Sequence, residues 1–295
     1  MDRMDAMRAF VAVATRGSFA GAARHLRLSP TAVTRGVARL EEELGLMLLR
    51  RTTRSVRLTG PGAAYLEDCR RILADLDDAE RRLRGEAAAP RGLLTVGAPL
   101  MFGRLHVLPV VRRLLRDHPD LSIRLVLSDR VSNLVEEGID AAVRLAALPD
   151  SALVALKLGE VRRVTVASPA YLAARGVPAT PAELAGHDIV AAETVGSATE
   201  WRFGHDQRIV IRIEPRLIMN TADAAIAAVE DGFGITRTAS YQAEASLRSG
   251  RLRLILEDHA TAPYAVSVVH PAHRVGSANV AAFVAAARAH FRAGP

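Results

Sequence analysis

Residues 18–59 read SFAGAARHLRLSPTAVTRGVARLEEELGLMLLRRTTRSVRLT, and a few start and stop signals divide the stretch into elements. Ser18 stands where it can cap a short helix, Phe19 to Leu26, whose Ala20, Gly21, Ala22 and Ala23 permit another helix to cross closely. Ser29 and Pro30 form the strongest start signal in the chain: a hydroxyl at the N-cap, then a proline whose missing N–H costs nothing at the first helical position. Leu28 is expected to staple onto Val33. Val33, Val37, Leu40 and Leu44 recur at helical spacing on one face, and Gly45 supplies the stop. Upstream, Met7, Phe10, Val11 and Ala14 form a similar stripe that predicts a helix ending at Arg16-Gly17. Gly36 lies inside the longer helix at a propensity cost of up to about 1 kcal/mol, with no local reason in the sequence.

Burying the apolar face leaves Thr31, Thr34 and Arg35 outside, with Arg39 one turn further on. A short helix, a tight turn and a longer helix make a helix-turn-helix, in which the N-terminal half of the second helix enters the major groove of duplex DNA. Ser18, Ser29 and Pro30 frame that end. Arginine there can bind guanine O6 and N7 together, and threonine can donate to phosphate or touch a thymine methyl. Glu41, Glu42 and Glu43 follow at the far end and are read as phosphate-repelling, so the helix is expected to enter by its Ser29 end. The residues after it alternate as a hairpin, with Leu46, Leu48 and Leu49 leading in and Val56 and Leu58 leading out. Its tip carries Arg50, Arg51, Thr52, Thr53 and Arg54, a wing suited to phosphate or minor-groove contact, with Arg51, Thr53 and Arg54 as candidate contacts.

Charge points the same way. The formal net charge is +7 over 295 residues, and residues 1–60 hold eleven Arg against five Asp or Glu. A basic N-terminal fifth suits a polyanion without distinguishing DNA from other polyanions. No apolar run reaches the roughly 18 to 20 residues of a spanning helix. The charged N-terminus is unlike a signal peptide, so a cytoplasmic protein without membrane contact is expected. A single cysteine, Cys69, excludes an intrachain disulfide framework and a cysteine metal cluster within one chain. The nine histidines are scattered, and no HExxH, GxSxG or phosphate-binding glycine loop occurs. Neither a metal nor a cofactor is expected, and catalysis is disfavoured.

From Thr59, a plausible N-cap, the chain runs without a breaker to Gly85. Leu66, Cys69, Leu73, Leu76 and Leu83 follow a heptad beat among charged residues, a narrow stripe that calls for a partner helix and so for a homodimer or homotetramer. Cys69 reads as a small apolar filler before it reads as a redox sensor. Residues 86–92 read as a linker. Beyond them strands alternate with helices (LLTVGA, then a helix to Leu115; SIRLVL, then a helix through Leu134; DAAVRL; VRRVTVAS, then a helix from Pro169; DIVAAE; RIVIRI; a helix from Thr221; YAVSVVHP; a helix from Ser277), which argues for parallel-sheet α/β architecture.

Over residues 10–62 the chain resembles the LysR-type transcriptional regulators. The matching pieces are SF-x-x-AA-x-x-L, the SP-x-x-V-T-R helix start, the LE-x-x-LG helix end, and the R-T-x-R-x-V-x-LT-x-x-G wing, in order and correctly spaced. The resemblance places Ser29, Thr31, Thr34 and Arg35 on that family's base- and phosphate-contacting face and Arg51 and Arg54 on its wing; Thr34 stands where serine is commoner. GLLTVGAP, EEGIDAAVR, VASPAYL, WRF and NTADAAIAAVEDGFGI resemble, more loosely, the family's effector domain, which folds like periplasmic binding proteins.

What the resemblance implies is a multidomain α/β protein: a winged helix-turn-helix over 1–60, a linker and dimer helix over 61–90, effector lobe I over 91–161 and 267–295, and lobe II over 162–266. Promoter DNA, a second copy of the chain, a small-molecule effector and RNA polymerase are the implied partners. The effector is expected between the lobes, at the carboxyl ends of strands. Pro99, Leu100, Met101 and Phe102 open a helix there, and Asn220 and Thr221 open another across the cleft; helix N-termini favour an anion. Arg144 can pair a carboxylate or make an interlobe salt bridge. Asn220 can equally be a simple cap, and Leu100 to Phe102 can equally be lobe core. A second reading, a DNA-binding architectural protein whose C-terminal half only oligomerises, is separated from this one by a metabolite that changes the promoter footprint.

Overall fold

A computed structural model of the chain describes residues 1–51, 56–83, 89–130, 133–145, 153–193 and 199–292. They fall into two units, Met1–Leu93 and Leu94–Pro295.

The first unit holds helices α1 (Arg3–Arg16), α2 (Phe19–Leu26) and α3 (Pro30–Leu44), strands β1 (Leu49–Arg51) and β2 (Val56–Leu58), and helix α4 (Gly60–Leu83). The caps follow the side chains that can make them. Asp2 and Asp5 form a capping box on α1, Ser18 accepts the Gly21 N–H at 3.2 Å, and Ser29 accepts the Ala32 N–H at 3.1 Å. Gly17 and Gly45 end α1 and α3 in the left-handed conformation. Phe10, Val13, Val33, Val37, Leu40, Leu48 and Leu49 are fully buried in one core, each contributing about 1.5–3 kcal/mol. Val11 and Ala14 lie at its edge. Leu28, expected as a staple, stays 42% exposed while Val33 is sealed. Arg27 in the left-handed conformation ends α2 just before it. Gly36 is buried where an added Cβ would meet the Met1 thioether at 2.2 Å, so its small size seats the N-terminus against α3.

The second unit contains two five-stranded sheets. One has the order β4 (Leu121–Leu127), β3 (Gly92–Ala98), β5 (Ala141–Leu145), β14 (Tyr264–Pro271), β6 (Leu153–Val161). A helical segment from Leu100 through a π turn (Gly103–Val107) into α6 (Leu108–Asp117) packs on it with the C-terminal helix α10 (Ala278–Arg292). The other sheet has the order β11 (Leu217–Met219), β8 (Ile189–Ala192), β12 (Ile235–Ala239), β7 (Arg163–Ala167), β13 (Arg253–Ile255). It carries α7 (Pro169–Arg175), α8 (Ala222–Glu230), α9 (Ser240–Arg248) and an antiparallel hairpin, β9 (Glu200–Phe203) with β10 (Ile209–Arg212). The three-residue helix Leu100–Phe102 is α5.

Neither sheet is purely parallel, contrary to the expectation from alternation. β3 runs parallel to β5, and β8 parallel to β11 and β12. β14 is antiparallel to β5 and β6, and β7 antiparallel to β12 and β13. The reason is the crossover. β6 passes into β7 through Arg162 alone, too short for a crossover helix, and β14 enters the first sheet from the other lobe. At that point Val161 and Tyr264 are paired. The helix expected through Leu134 is a single turn instead. The Asn133 side chain accepts the Val135 N–H, and Gly138, with φ 63°, closes the turn through Ile139 N–H to Leu134 C=O at 2.8 Å.

Candidate nucleic-acid interface and effector cleft

The N-terminal half of α3 presents Ser29, Pro30, Thr31 and Arg35 to solvent, with Thr34 half-buried beside them. Each points outward because Val33, Val37 and Leu40 take the inward positions. Ser18 is half-buried and its oxygen already caps α2. Arg39 is held back: its Nε donates to Glu43 at 2.8 Å and its Nη1 to the Met1 carbonyl at 3.2 Å. Among the three acids, Glu42 and Glu43 are exposed, but Glu41 is buried. One of its oxygens accepts the N–H groups of Leu48 and Leu49, at 2.8 and 3.0 Å. It is a strut for the wing rather than part of a phosphate-repelling surface.

The wing pairs Leu49 with Leu58, Arg50 with Arg57 and Arg51 with Val56. Arg50 and Arg57 are both exposed. Thr53 and Arg54 lie outside the described residues, and Arg51 is described by its backbone alone. Thr59 ties wing to helix: its hydroxyl donates to the Met47 carbonyl at 2.6 Å and accepts the Gly62 N–H at 2.9 Å. Along α4 the heptad stripe divides. Leu66 and Cys69 are buried in the first unit's own core, near the Phe10–Tyr65 ring pair, so they are spent within the chain rather than left for a partner. Leu73 packs at the edge of that core, Leu76 is half-buried and Leu83 is 89% exposed. The Cys69 thiol is pushed up to about 11, chiefly by burial.

In the second unit the candidate effector residues fall into two groups. Phe102 and Met101 are buried, and Phe102 is lobe core: its ring stacks on Phe291 at 5.7 Å and meets Tyr241 of α9 edge-on at 5.1 Å. The first N–H of α5, on Leu100, is taken by the Asp129 carboxylate at 2.9 Å. That donor therefore has an acid of the chain's own. Pro99 is half-buried beside it, and Arg144 is half-buried on β5 opposite Ser267. Across from them Asn220 is exposed and Thr221 begins α8. The Thr221 side chain hydrogen-bonds Asp223 and, with a smaller contribution from the positive charge of Arg104 in the facing lobe, holds the Asp223 carboxyl below its usual range.

A family pattern described as "LysR substrate binding domain" matches residues 87–292, and one described as "Bacterial regulatory helix-turn-helix protein, lysR family" matches residues 4–63. The chain belongs to the LysR family. An HTH-type transcriptional repressor of Pseudomonas aeruginosa is 33% identical to this LysR-type regulator over 296 residues, 96% of this chain and 90% of that protein. The HTH-type transcriptional regulator PtxR of Pseudomonas aeruginosa is 33% identical over 288 residues, 96% of this chain and 91% of that protein. Among solved structures, CrgA, a LysR-type transcriptional regulator from Neisseria meningitidis, matches with a TM-score of 0.63 at 29% identity, over 97% of this chain and 98% of that one. The protein is thus a LysR-type transcriptional regulator with a DNA-binding helix-turn-helix and an effector-binding domain, not an enzyme. No described helix is long and apolar enough to cross a membrane.

Three features of this LysR-type regulator escaped the sequence reading. Glu41 looked like its two acidic neighbours; only its place on the Val33-Val37-Leu40 face marked it as inward. The facing arginines Arg50 and Arg57 needed the hairpin register, which the tip residues obscure. Arg163 lies in the strand read from VRRVTVAS without being singled out, and Arg237 lies on β12, a strand the sequence reading did not mark, where it is buried against the Phe203 ring.

Proposed function

We propose that this regulator binds promoter DNA as a homodimer or homotetramer and changes its grip when a small organic anion enters between the two lobes of its effector-binding domain. The observation that carries the reading is the outward face of α3, Ser29, Thr31, Thr34 and Arg35, beside the exposed Arg50–Arg57 pair of the wing. In duplex DNA Arg35 reads a base edge, Thr31 and Thr34 contact phosphate or a thymine methyl, and the wing, Arg51, Thr53 and Arg54 included, follows the backbone. Ser18, Ser29 and Pro30 set the helix ends against the backbone, and Arg39 contributes only by leaving Glu43. Residues 1–60 form the DNA-binding unit and 61–90 the subunit seam. Because Leu66 and Cys69 are enclosed, the seam is carried by Ile72, Leu76 and Leu83, of which Ile72 and Leu83 are exposed.

Effector binding draws together Pro99 and Arg144 of one lobe and Asn220 and Thr221 of the other. A coupling of about 1–3 kcal/mol is enough to respace the winged domains and alter contact with RNA polymerase. The site of action is the bacterial cytoplasm. The test is protection of the chain's own upstream region by the purified full-length protein, at low ionic strength, with and without candidate metabolites. Protection across two half-sites, shifted by an organic acid, is the expected result. Indifference to that DNA, or a shift produced only by neutral molecules, rejects the DNA reading or the anion reading respectively.

A further inference from the structure

We propose that Arg237 and Arg163 form the anion-recognition subsite of the effector domain, holding the oxyanionic head group of a small organic acid; this rests on the anionic effector of the preceding section and names the residues that select it. Arg237 is 5% exposed, and its Nε is buried without a hydrogen-bond partner. Its guanidinium carbon lies 4.3 Å from the centre of the Phe203 ring, which covers one side of the cation. Strand register puts Arg163 beside it. Arg163 pairs with Ala239 and Thr165 pairs with Arg237, so both arginines project from the same face of β7 and β12 as diagonal neighbours. Arg163 in turn sits 5.9 Å from the centre of the Tyr264 ring. Among the described residues no carboxylate pairs with either arginine.

Two neighbouring, largely buried cations without an acid cost free energy. The chain treats a comparable cation otherwise: buried Arg274 meets Asp140 at 2.6 Å, and the same carboxylate accepts the Thr95 N–H. Burial, and secondarily the charge of Arg163, draw Arg237 down to about 9. An oxyanion supplied from solution offsets this strain, and a carboxylate fits because its two oxygens match the guanidinium fork. The location suits a ligand. Ile235 and Thr236 pair with Ile189 and Val190 in parallel, which sets Arg237 level with Ala191 towards the carboxyl end of β8. Ligands of open α/β sheets bind at that end. Arg163 opens β7 directly after the lobe crossover, so an anion bound there touches the hinge itself.

The test uses the full chain and a set of small organic acids, acetate and benzoate among them, as sodium salts against sodium chloride at equal ionic strength, with binding followed by calorimetry and thermal shift. At least one carboxylate binds saturably to the wild type. R237M weakens it by about 30-fold or more and R163M by about 10-fold, as expected for truncating one partner of a buried charge pair. R237K retains part of the affinity. Without added acid, R237M melts at or above the wild-type temperature, since a lone buried charge has been removed. A carboxylate that binds R237M and R163M as tightly as wild type overturns this subsite and leaves the anionic reading standing. Saturable binding by no acid in the set overturns both. A clear drop in the melting temperature of ligand-free R237M makes the arginine a structural strut and also overturns the proposal.

Discussion

Glu41, in the last turn of α3, reaches across to the first residue of the wing, Leu49, and accepts its backbone N–H at 3.0 Å. The same oxygen accepts the Leu48 N–H at 2.8 Å. One buried carboxylate therefore fixes the angle between α3 and the wing hairpin. E41A leaves two buried donors without an acceptor and should cost about 2–4 kcal/mol. E41Q, which keeps an acceptor oxygen, should lose about half as much. Chemical denaturation of the full chain measures both, and equal stability of E41A and wild type would remove the strut.

Two glycines of this unit should respond oppositely to alanine. A Cβ at Gly62 would stand 1.9 Å from the Leu48 carbonyl oxygen, which is backbone and cannot step aside. G62A should lose about 3 kcal/mol or more. At Gly36 the obstacle is the movable end of Met1, and alanine regains up to about 1 kcal/mol of helix propensity. G36A should melt at or above the wild-type temperature. A reversed order of the two variants in a thermal melt would contradict this account.

On DNA, R35A should cost about 1–3 kcal/mol on the cognate site and flatten the preference between cognate and scrambled duplexes. R57A should weaken both duplexes alike and reduce the slope of log K against log salt by about 0.9. Fluorescence anisotropy at several salt concentrations separates the two behaviours. Identical, sequence-blind losses would show that Arg35 reads no base.

Cys69 should be chemically quiet. Its thiol is fully buried and pushed up to about 11 from an ordinary 9.0, and the thiolate is the reactive form. Alkylation at pH 8 should therefore follow unfolding and not precede it. The sign of the linkage is fixed: between about pH 9 and 11 the native state keeps a proton that the unfolded chain releases, so this contribution to stability falls as pH rises through that window. C69A should show a flatter decline there than wild type. Mass-spectrometric labelling that modifies the folded protein rapidly at pH 8 would refute it.

The helix-turn-helix was legible because its signals are local. Ser18, Ser29-Pro30, Gly17 and Gly45 state helix ends through chemistry confined to one turn, and the structure places those ends at the same residues. The stripe on α4 was legible as apolar but not as divided, because what buries Leu66 and Cys69 is α1, some fifty residues earlier. The same limit applied to the sheets. Alternation marked most strands, while their direction depended on a chain that crosses between lobes at Arg162 and returns at Tyr264. For the cleft, Phe102 was readable as core or ligand wall, and its packing against Phe291 and Tyr241 depends on elements far along the chain. Arg237 was invisible because ITRTA carries no alternation that marks a strand, and a sequence does not say which arginine lacks a counter-charge.

Val161 and Tyr264 face each other where the chain leaves one lobe and re-enters it. Two strands hydrogen-bonded up to their exit behave as a pair of adjacent pins. Such a pair would resist shear and separation more than torsion about its shared axis, giving the two lobes one easy direction of swing. A small twist at the pins would become a large arc at the far rims, so a ligand held between the lobes close to the pins would move them less than one held at the rims.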